Sequence, residues 1–415
     1  MNVLHLIDPG SPGGGGCTLR LMAESLARLT SVQQDVVIVG HEGHVALARR
    51  CGVDPIGSIG APLRQATLAR GGLRRMLRMH EQVQGPYDLI HAWTLSSAVL
   101  AASAAPTRRR LATLTVGPLC GPATPVFRAI VQRTPTPIIA TSRSVAREYA
   151  SIGLDPETIT VIPPAINPES TPLGDRAALR AEWGVDDRSF VVGMLSEPLR
   201  WADARLAADV VLQVAATGRD VRLLVHHAAT RKADAERWLA GLGQRRLLIE
   251  DDASAEPWQV ARGLDAALLV GGELNALDLS AAGSPFAVLT GGGRRMLPLP
   301  SALPLLWAMV AGVPVIADAS DVATDVIVEG ESGLLITPKD RNAAADRIMR
   351  LYDDPTIAGR IGLQARQHVA EAFGVSAYCV RVKEQYEAAI NDAGSTPRTP
   401  DVRHADPAVT PVAVG

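Results

Sequence analysis

The stretch "NVLHLIDPGSPGGGGCTLRLMAESLARLTSVQQDVVIVG" (2–40) decides how the rest of the chain is read. "NVLHLI" is a short apolar run that stops at Asp8, Pro9 and a glycine cluster, the pattern of a buried strand. "CTLRLMAESLARL" (17–29) repeats Leu19, Met22, Leu26 and Leu29 at helical spacing, and "DVVIVG" (35–40) is a second strand. Strand, loop, helix and strand make the unit of a parallel doubly wound sheet. In the loop, Gly13, Gly14, Gly15 and Gly16 leave backbone N–H groups open to a phosphate or a sugar, and a helix start favours an anion. The spacing is neither the G-x-G-x-x-G of a dinucleotide fold nor the Lys-Ser/Thr ending of a P-loop, so a nicotinamide enzyme is a weak reading. The plain alternative is a flexible strand-to-helix turn.

The unit recurs. "YDLIHAW" (87–93), "RLATLTV" (110–116), "PIIATS" (137–142) and "TITVIPPAI" (158–166) read as strands. "SSAVLAASAA" reads as a helix, as does "SRSVAREYASIG" (142–153), with Ser142 as N-cap and Gly153 as stop. A second series starts at "FVVGML" (190–195) and runs to the helix "VSAYCVRVKEQYEAAI" (375–390). The expected organisation is an α/β protein of two facing Rossmann-like doubly wound domains. These are an N-terminal domain over 1–170, a linker over 171–188 and a C-terminal domain over 189–374. A helix over 375–390 is placed to cross back to the first domain, and a Pro-, Ser- and Thr-rich tail over 391–415 is expected to be disordered. Ligands of such sheets sit at the carboxyl ends of the strands, and two halves face each other across a cleft.

Composition sets wider bounds. The chain has 415 residues, 47% hydrophobic and 20% charged, which is globular rather than disordered. The formal net charge of -2 gives no global pull towards nucleic acid. Cys17, Cys51, Cys120 and Cys379 are scattered, which fits reduced thiols in a cytoplasmic protein. The opening residues read as a strand rather than a signal peptide, and no apolar run is long enough to span a membrane. Peripheral contact with the inner membrane face stays open. No metal site is implied: there is no DxD triplet, and His226 and His227 are strand neighbours pointing to opposite faces.

Two single residues stand out. His91 ends the strand "YDLIHAW", where an imidazole can act as acid, base or donor in a cleft; the alternative is a buried, satisfied histidine. Arg200 lies in the loop after "VVGML", where a guanidinium can hold a diphosphate; the alternative is a solvated arginine.

From about residue 2 to 390 the chain resembles the retaining glycosyltransferases of family 4, which have the GT-B fold. The segments that carry the resemblance are "LMAESLARL", "YDLIHAW", "IATSRSVAREYASIGLDPETITVIPPAIN", "WAMVAGVPVIA" and "DVIVEGESGLLITPKD". The resemblance implies hexose transfer from a UDP-, GDP- or ADP-linked sugar to a glycan or lipid-linked acceptor, with no cofactor beyond the co-substrate and no metal.

Departures from the family pattern fall around the donor. The segment "YDLIHAW" keeps the family's first histidine as His91 and has Trp93 in place of its second, and the asparagine-glycine of the family's "VIPNG" is Pro164-Ala165. Its two donor-site glutamates, eight positions apart, correspond to Leu299 and Trp307. The arginine that helps hold the donor diphosphate becomes Met194, with Arg200 near the family's lysine. A glycine pair after "PVIA" becomes Asp321-Val322. Hydrogen bonds to charged groups contribute about 1.5–3 kcal/mol each. Losing two of them weakens donor binding by about two to four orders of magnitude. A rescue is available if Glu273, directly after "AALLVG", replaces the first glutamate, with 274–296 as an insertion whose Arg294 and Arg295 meet phosphate. Two readings follow: a transferase with a rebuilt donor site, or a catalytically inactive binding or partner subunit in which Trp307 fills the emptied ribose position.

Overall fold

The computed structural model describes residues 1–11, 15–60, 66–115, 128–129, 136–169, 171, 173–195, 204–226, 232–249, 257–270, 302–319 and 321–391. The chain forms two parallel sheets. The first has the order β3-β2-β1-β4-β5-β6-β7. Its strands are β1 (Asn2–Ile7), β2 (Gln33–Val39), β3 (Gly57–Ile59), β4 (Leu89–Ala92), β5 (Arg110–Leu114), β6 (Ile138–Ala140) and β7 (Ile159–Val161). The second has the order β10-β9-β8-β11-β12-β13. These are β8 (Phe190–Met194), β9 (Val221–Val225), β10 (Leu248–Ile249), β11 (Ala266–Leu269), β12 (Val315–Asp318) and β13 (Leu334–Ile336). Every pairing is parallel and each half reverses its strand order beside its first strand, giving the two Rossmann-like halves of a GT-B protein.

The helices between them are α1 (Gly16–Arg28), α2 (Glu42–Arg50), α3 (Ala66–Gln84), α4 (Leu95–Ala104) and α5 (Arg143–Ser151), then α6 (Arg176–Glu182), α7 (Ala204–Ala216), α8 (Lys232–Gly241) and α9 (Pro257–Val260). After these come α10 (Leu303–Val310), α11 (Asp321–Val326), α12 (Arg341–Asp353), α13 (Pro355–Ala372) and α14 (Val375–Asn391). Local chemistry places several ends where the sequence does. Ser142 caps α5 by accepting from the Val145 N–H, and Gly153 beyond it takes a left-handed φ of 90°.

The segment read as a linker carries α6. Asp175 caps it, and Arg180 is buried against the second half, with an ion pair to Asp265 at 3.0 Å and a bond to the Gly263 carbonyl. The last helix, α14, lies against the first half: Tyr386 bonds His91, Gln385 accepts from Thr160, and Ser376 accepts from Arg28. One apolar core runs through both halves, joining Cys17, Leu21 and Met22 of α1 with Leu303 and Leu306 of α10 and Val382 of α14. The starts of α1 and α10, each at the carboxyl edge of its own sheet, are therefore held near one another. No helix among the described residues is long and apolar enough to cross a membrane.

Candidate active site at the carboxyl edges

A polar cluster sits where β1, β2 and β4 end. Asp8 follows β1. Its Oδ1 accepts from the Gly10 N–H at 3.0 Å and its Oδ2 from the Ser96 hydroxyl at 2.9 Å. Ser96 lies in the first turn of α4, which is fixed by Thr94 and Ser97 in a reciprocal capping box. Ser11 Oγ stands 3.0 Å from Ser96 Oγ and donates to the Asp8 carbonyl. Burial raises the Asp8 carboxyl above its ordinary range; the Ser96 hydroxyl, the Gly10 amide and His44 pull it back.

His44 reaches this cluster from α2. Two glycines make room for its ring. A Cβ on Gly10 would lie 2.7 Å from His44 Cε1 and 3.4 Å from Asp8 Oδ1. At Gly40, where φ is +153°, a Cβ would fall 2.1 Å from His44 Nδ1. The His41 ring lies 4.0 Å away, centroid to centroid. Burial and His41 push the His44 pKa down. The result is a neutral imidazole beside a carboxyl with spare lone pairs, a fit for sugar hydroxyls, which both donate and accept. Gly15 is the N-cap of α1 and Gly16 its first residue, and among the described residues no side-chain cap hydrogen bond closes the helix start. Gly13 and Gly14 lie outside the described residues.

Across from it, α11 contributes Asp325. Its Oδ2 accepts from the Ser144 N–H at 3.2 Å and the Ser144 hydroxyl at 2.8 Å. A carboxylate of the second half thus satisfies donors at the start of α5 in the first, tying the two carboxyl edges together.

His91 does not face the cleft. It is fully buried, with Nδ1 2.8 Å from the Tyr386 hydroxyl and Nε2 2.7 Å from Thr113 Oγ1. The expected acid, base or donor is a wall residue, and its partners are side chains rather than backbone. Beside it, the Trp93 N–H donates to His5 Nδ1 at 3.0 Å. His5 must therefore carry its proton on Nε2, which bonds Gln34 Oε1 at 3.2 Å. Gln34 in turn donates to the Leu26 and Leu29 carbonyls. Burial lowers the His5 pKa to about 4, against a partial rise from Gln34. Burial, then His5, holds His91 well below the usual imidazole range.

Trp307 is 1% exposed in α10, packed on Trp258 of α9 with ring centroids 5.1 Å apart. Its Nε1 has no hydrogen-bond partner among the described residues. Met194 is buried in the core between the second sheet and α7, so it does not replace the family's arginine as a ligand contact. Val322 likewise packs inward. Arg200, Glu273, Leu299, Arg294 and Arg295 lie outside the described residues. Sequence reasoning missed Asp8, His44, Ser96 and Asp325, which no local pattern marks; Gly10 and Gly40, which seat the His44 ring, are far apart in the chain.

A family model described as Glycosyltransferase Family 4 matches residues 12–170, and one described as Glycosyl transferases group 1 matches residues 300–368. The chain is a GT-B, glycosyltransferase family 4-like protein. A D-inositol 3-phosphate glycosyltransferase of Stackebrandtia nassauensis is 27% identical over 227 residues, 52% of this chain and 46% of that protein. The Nocardia farcinica protein of the same name is 26% identical over 263 residues, 61% of this chain and 52% of that protein. The matched stretch thus spans about half the length of these curated relatives. Among solved structures, Anabaena HepE in complex with UDP and glucose is 18% identical with a TM-score of 0.73, covering 94% of this chain and 100% of that one. The sucrose-phosphate synthase of Thermosynechococcus elongatus is 17% identical with a TM-score of 0.69, covering 95% and 100%. At these identities the likeness concerns the fold.

Proposed function

We propose that this family 4-like protein transfers a hexose from a nucleotide sugar to a glycan or lipid-linked acceptor. The observation that carries the reading is the Asp8–Ser96–His44 cluster at the carboxyl edge of the first sheet, facing a second sheet tied to it by Asp325. Asp8 and His44 hold acceptor hydroxyls, and the start of α1, which has no side-chain cap hydrogen bond, offers backbone N–H groups to the donor. UDP-glucose is the first donor to try, because HepE was solved with UDP-glucose, with UDP, and with UDP and glucose. The ribose of the donor finds no carboxylate on α10, so its recognition falls to other groups, with Glu273, Arg200, Arg294 and Arg295 as the sequence candidates.

Trp307 favours a second reading, in which the chain keeps the cleft as a non-catalytic binding or partner subunit. UDP release from UDP-glucose, with and without mixed glycan acceptors, separates the two. Release that falls at least tenfold in Asp8→Ala supports transfer. No release, together with unchanged binding of sugar acceptors, supports the inactive subunit.

A further inference from the structure

We infer that the Asp8 edge of the cleft takes an uncharged, hydroxyl-rich group and turns phosphorylated or carboxylated ones away, with Asp8 as the residue that makes the choice. The inference rests on the transfer reading in one respect, that this edge is the acceptor side.

A count of hydrogens carries it. A serine hydroxyl has one hydrogen to give and a carboxylate has none. Ser11 gives its hydrogen to the Asp8 carbonyl at 3.0 Å. Ser96 points its own at Asp8 Oδ2, 2.9 Å away, and at Ser11 Oγ, 3.0 Å away. The Gly10 amide is spent on Asp8 Oδ1 at 3.0 Å, and the Ser11 amide on the Asp8 carbonyl at 3.1 Å. The Thr94 hydroxyl is taken up by Ser96 and Ser97, at 3.1 and 2.8 Å. What Asp8 and its two serines have left is lone pairs. A sugar hydroxyl brings the hydrogens they call for. A phosphate or carboxylate brings more lone pairs and a second negative charge.

Charge points the same way. The cation this cluster could raise against an anion is His44, and burial, then His41, push that ring towards its neutral form. A neutral imidazole keeps one N–H, enough for one sugar oxygen. Asp8 therefore meets an incoming anion with a like charge and little to offset it. The start of α1, which favours an anion, falls to the donor on the transfer reading.

The test is binding of the full chain to methyl glycosides of glucose, mannose and galactose, each against its 6-phosphate, by isothermal titration with and without UDP. The neutral member of at least one pair should bind about ten- to a hundredfold tighter, the size of one hydrogen bond to a charged group. Asp8→Asn keeps the shape, removes the charge and adds two hydrogens, so the preference should fall to near unity. Ser96→Ala keeps the carboxylate and should retain it, which covers an Asp8→Asn chain that does not fold. Equal or tighter binding of the phosphates by the wild type would overturn the inference. So would a preference that survives in folded Asp8→Asn or is lost in Ser96→Ala, or no binding of any neutral glycoside. UDP release from UDP-glucose with the same panel keeps the two readings apart. Faster release with the phosphates leaves transfer standing and overturns the selectivity. A neutral preference in binding with no release supports the selectivity and removes transfer.

Discussion

Trp93 and Trp307 stand where the family resemblance calls for a polar residue, one in each half, and each is 1% exposed. Their surroundings differ. Trp93 donates its N–H to His5, and the bonds continue through Gln34 to the carbonyls of Leu26 and Leu29. Trp307 lies against Trp258 with no hydrogen-bond partner for its N–H among the described residues. In the first half this wall stays polar, and His5, His91, Trp93 and Gln34 each have hydrogen-bond partners. In the second half, at α10, an aromatic ring fills the space and the polar function is gone. On the proposed reading, the first half keeps polar groups at its edge, while recognition of a nucleotide ribose falls to groups outside α10.

The largest effect that sharpens this contrast is Trp307→Ala. Removing a fully packed indole should cost about 3–5 kcal/mol, read from the denaturant midpoint. A cost near zero would mean the ring is not structural, and the contrast fails.

The polar wall should next reveal itself in acid. The folded pKa of His5 is depressed to about 4 from 6.5. Between these values the unfolded chain binds a proton that the folded chain refuses, so stability falls as pH drops from 6.5 towards 4. His5 alone accounts for about 3 kcal/mol over that window, at about 1.4 kcal/mol per pH unit. His91 is shifted in the same direction and steepens the slope. Urea midpoints across that pH range should show it, and His5→Gln should flatten the slope whatever it does to the level.

Paired substitutions isolate the indole N–H. Trp93→Phe and Trp307→Phe remove the same atoms. Trp93→Phe also strands His5 Nδ1, so it should cost about 1–3 kcal/mol more than Trp307→Phe. Equal costs would mean that the Trp93 bond to His5 contributes nothing. The smallest effect is expected at the tie between the halves. Asp325→Ala removes an acceptor at a helix start and should cost about 0.5–2 kcal/mol by thermal unfolding.

Much of the fold is legible in the sequence because buried strands are apolar runs closed by Gly, Pro or Asp, as "NVLHLIDPG" and "PVIAD" are. Several helices, among them α2, α3, α8 and α13, escape that reading. α3 shows why: Gly71-Gly72 interrupt it, and its inward stripe is little more than Ala69, Leu73 and Leu77 between arginines. α6 hides in a polar, proline-flanked segment, although Asp175 before "RAALRAE" is an N-cap signal. The site is less legible. His91 looks the same in one dimension whether it faces a cleft or a hydroxyl. Its partner Tyr386 is 295 residues away, and Ser144 and Asp325 are 181 apart. No local pattern records such pairs. The glycines at 10 and 40 record the seat of His44 only once the ring is seen above them.

The most direct test of the proposed function is a titration with UDP-glucose and UDP, followed by unfolding temperature. A ligand at a hundred times its dissociation constant stabilises by about 2.7 kcal/mol. A saturable rise with UDP-glucose, larger than with glucose alone, is the predicted result and means a donor site exists without the α10 carboxylate. No rise at millimolar concentration with UDP-, GDP- or ADP-sugars would contradict nucleotide-sugar transfer and leave Trp307 as the plug of a closed site.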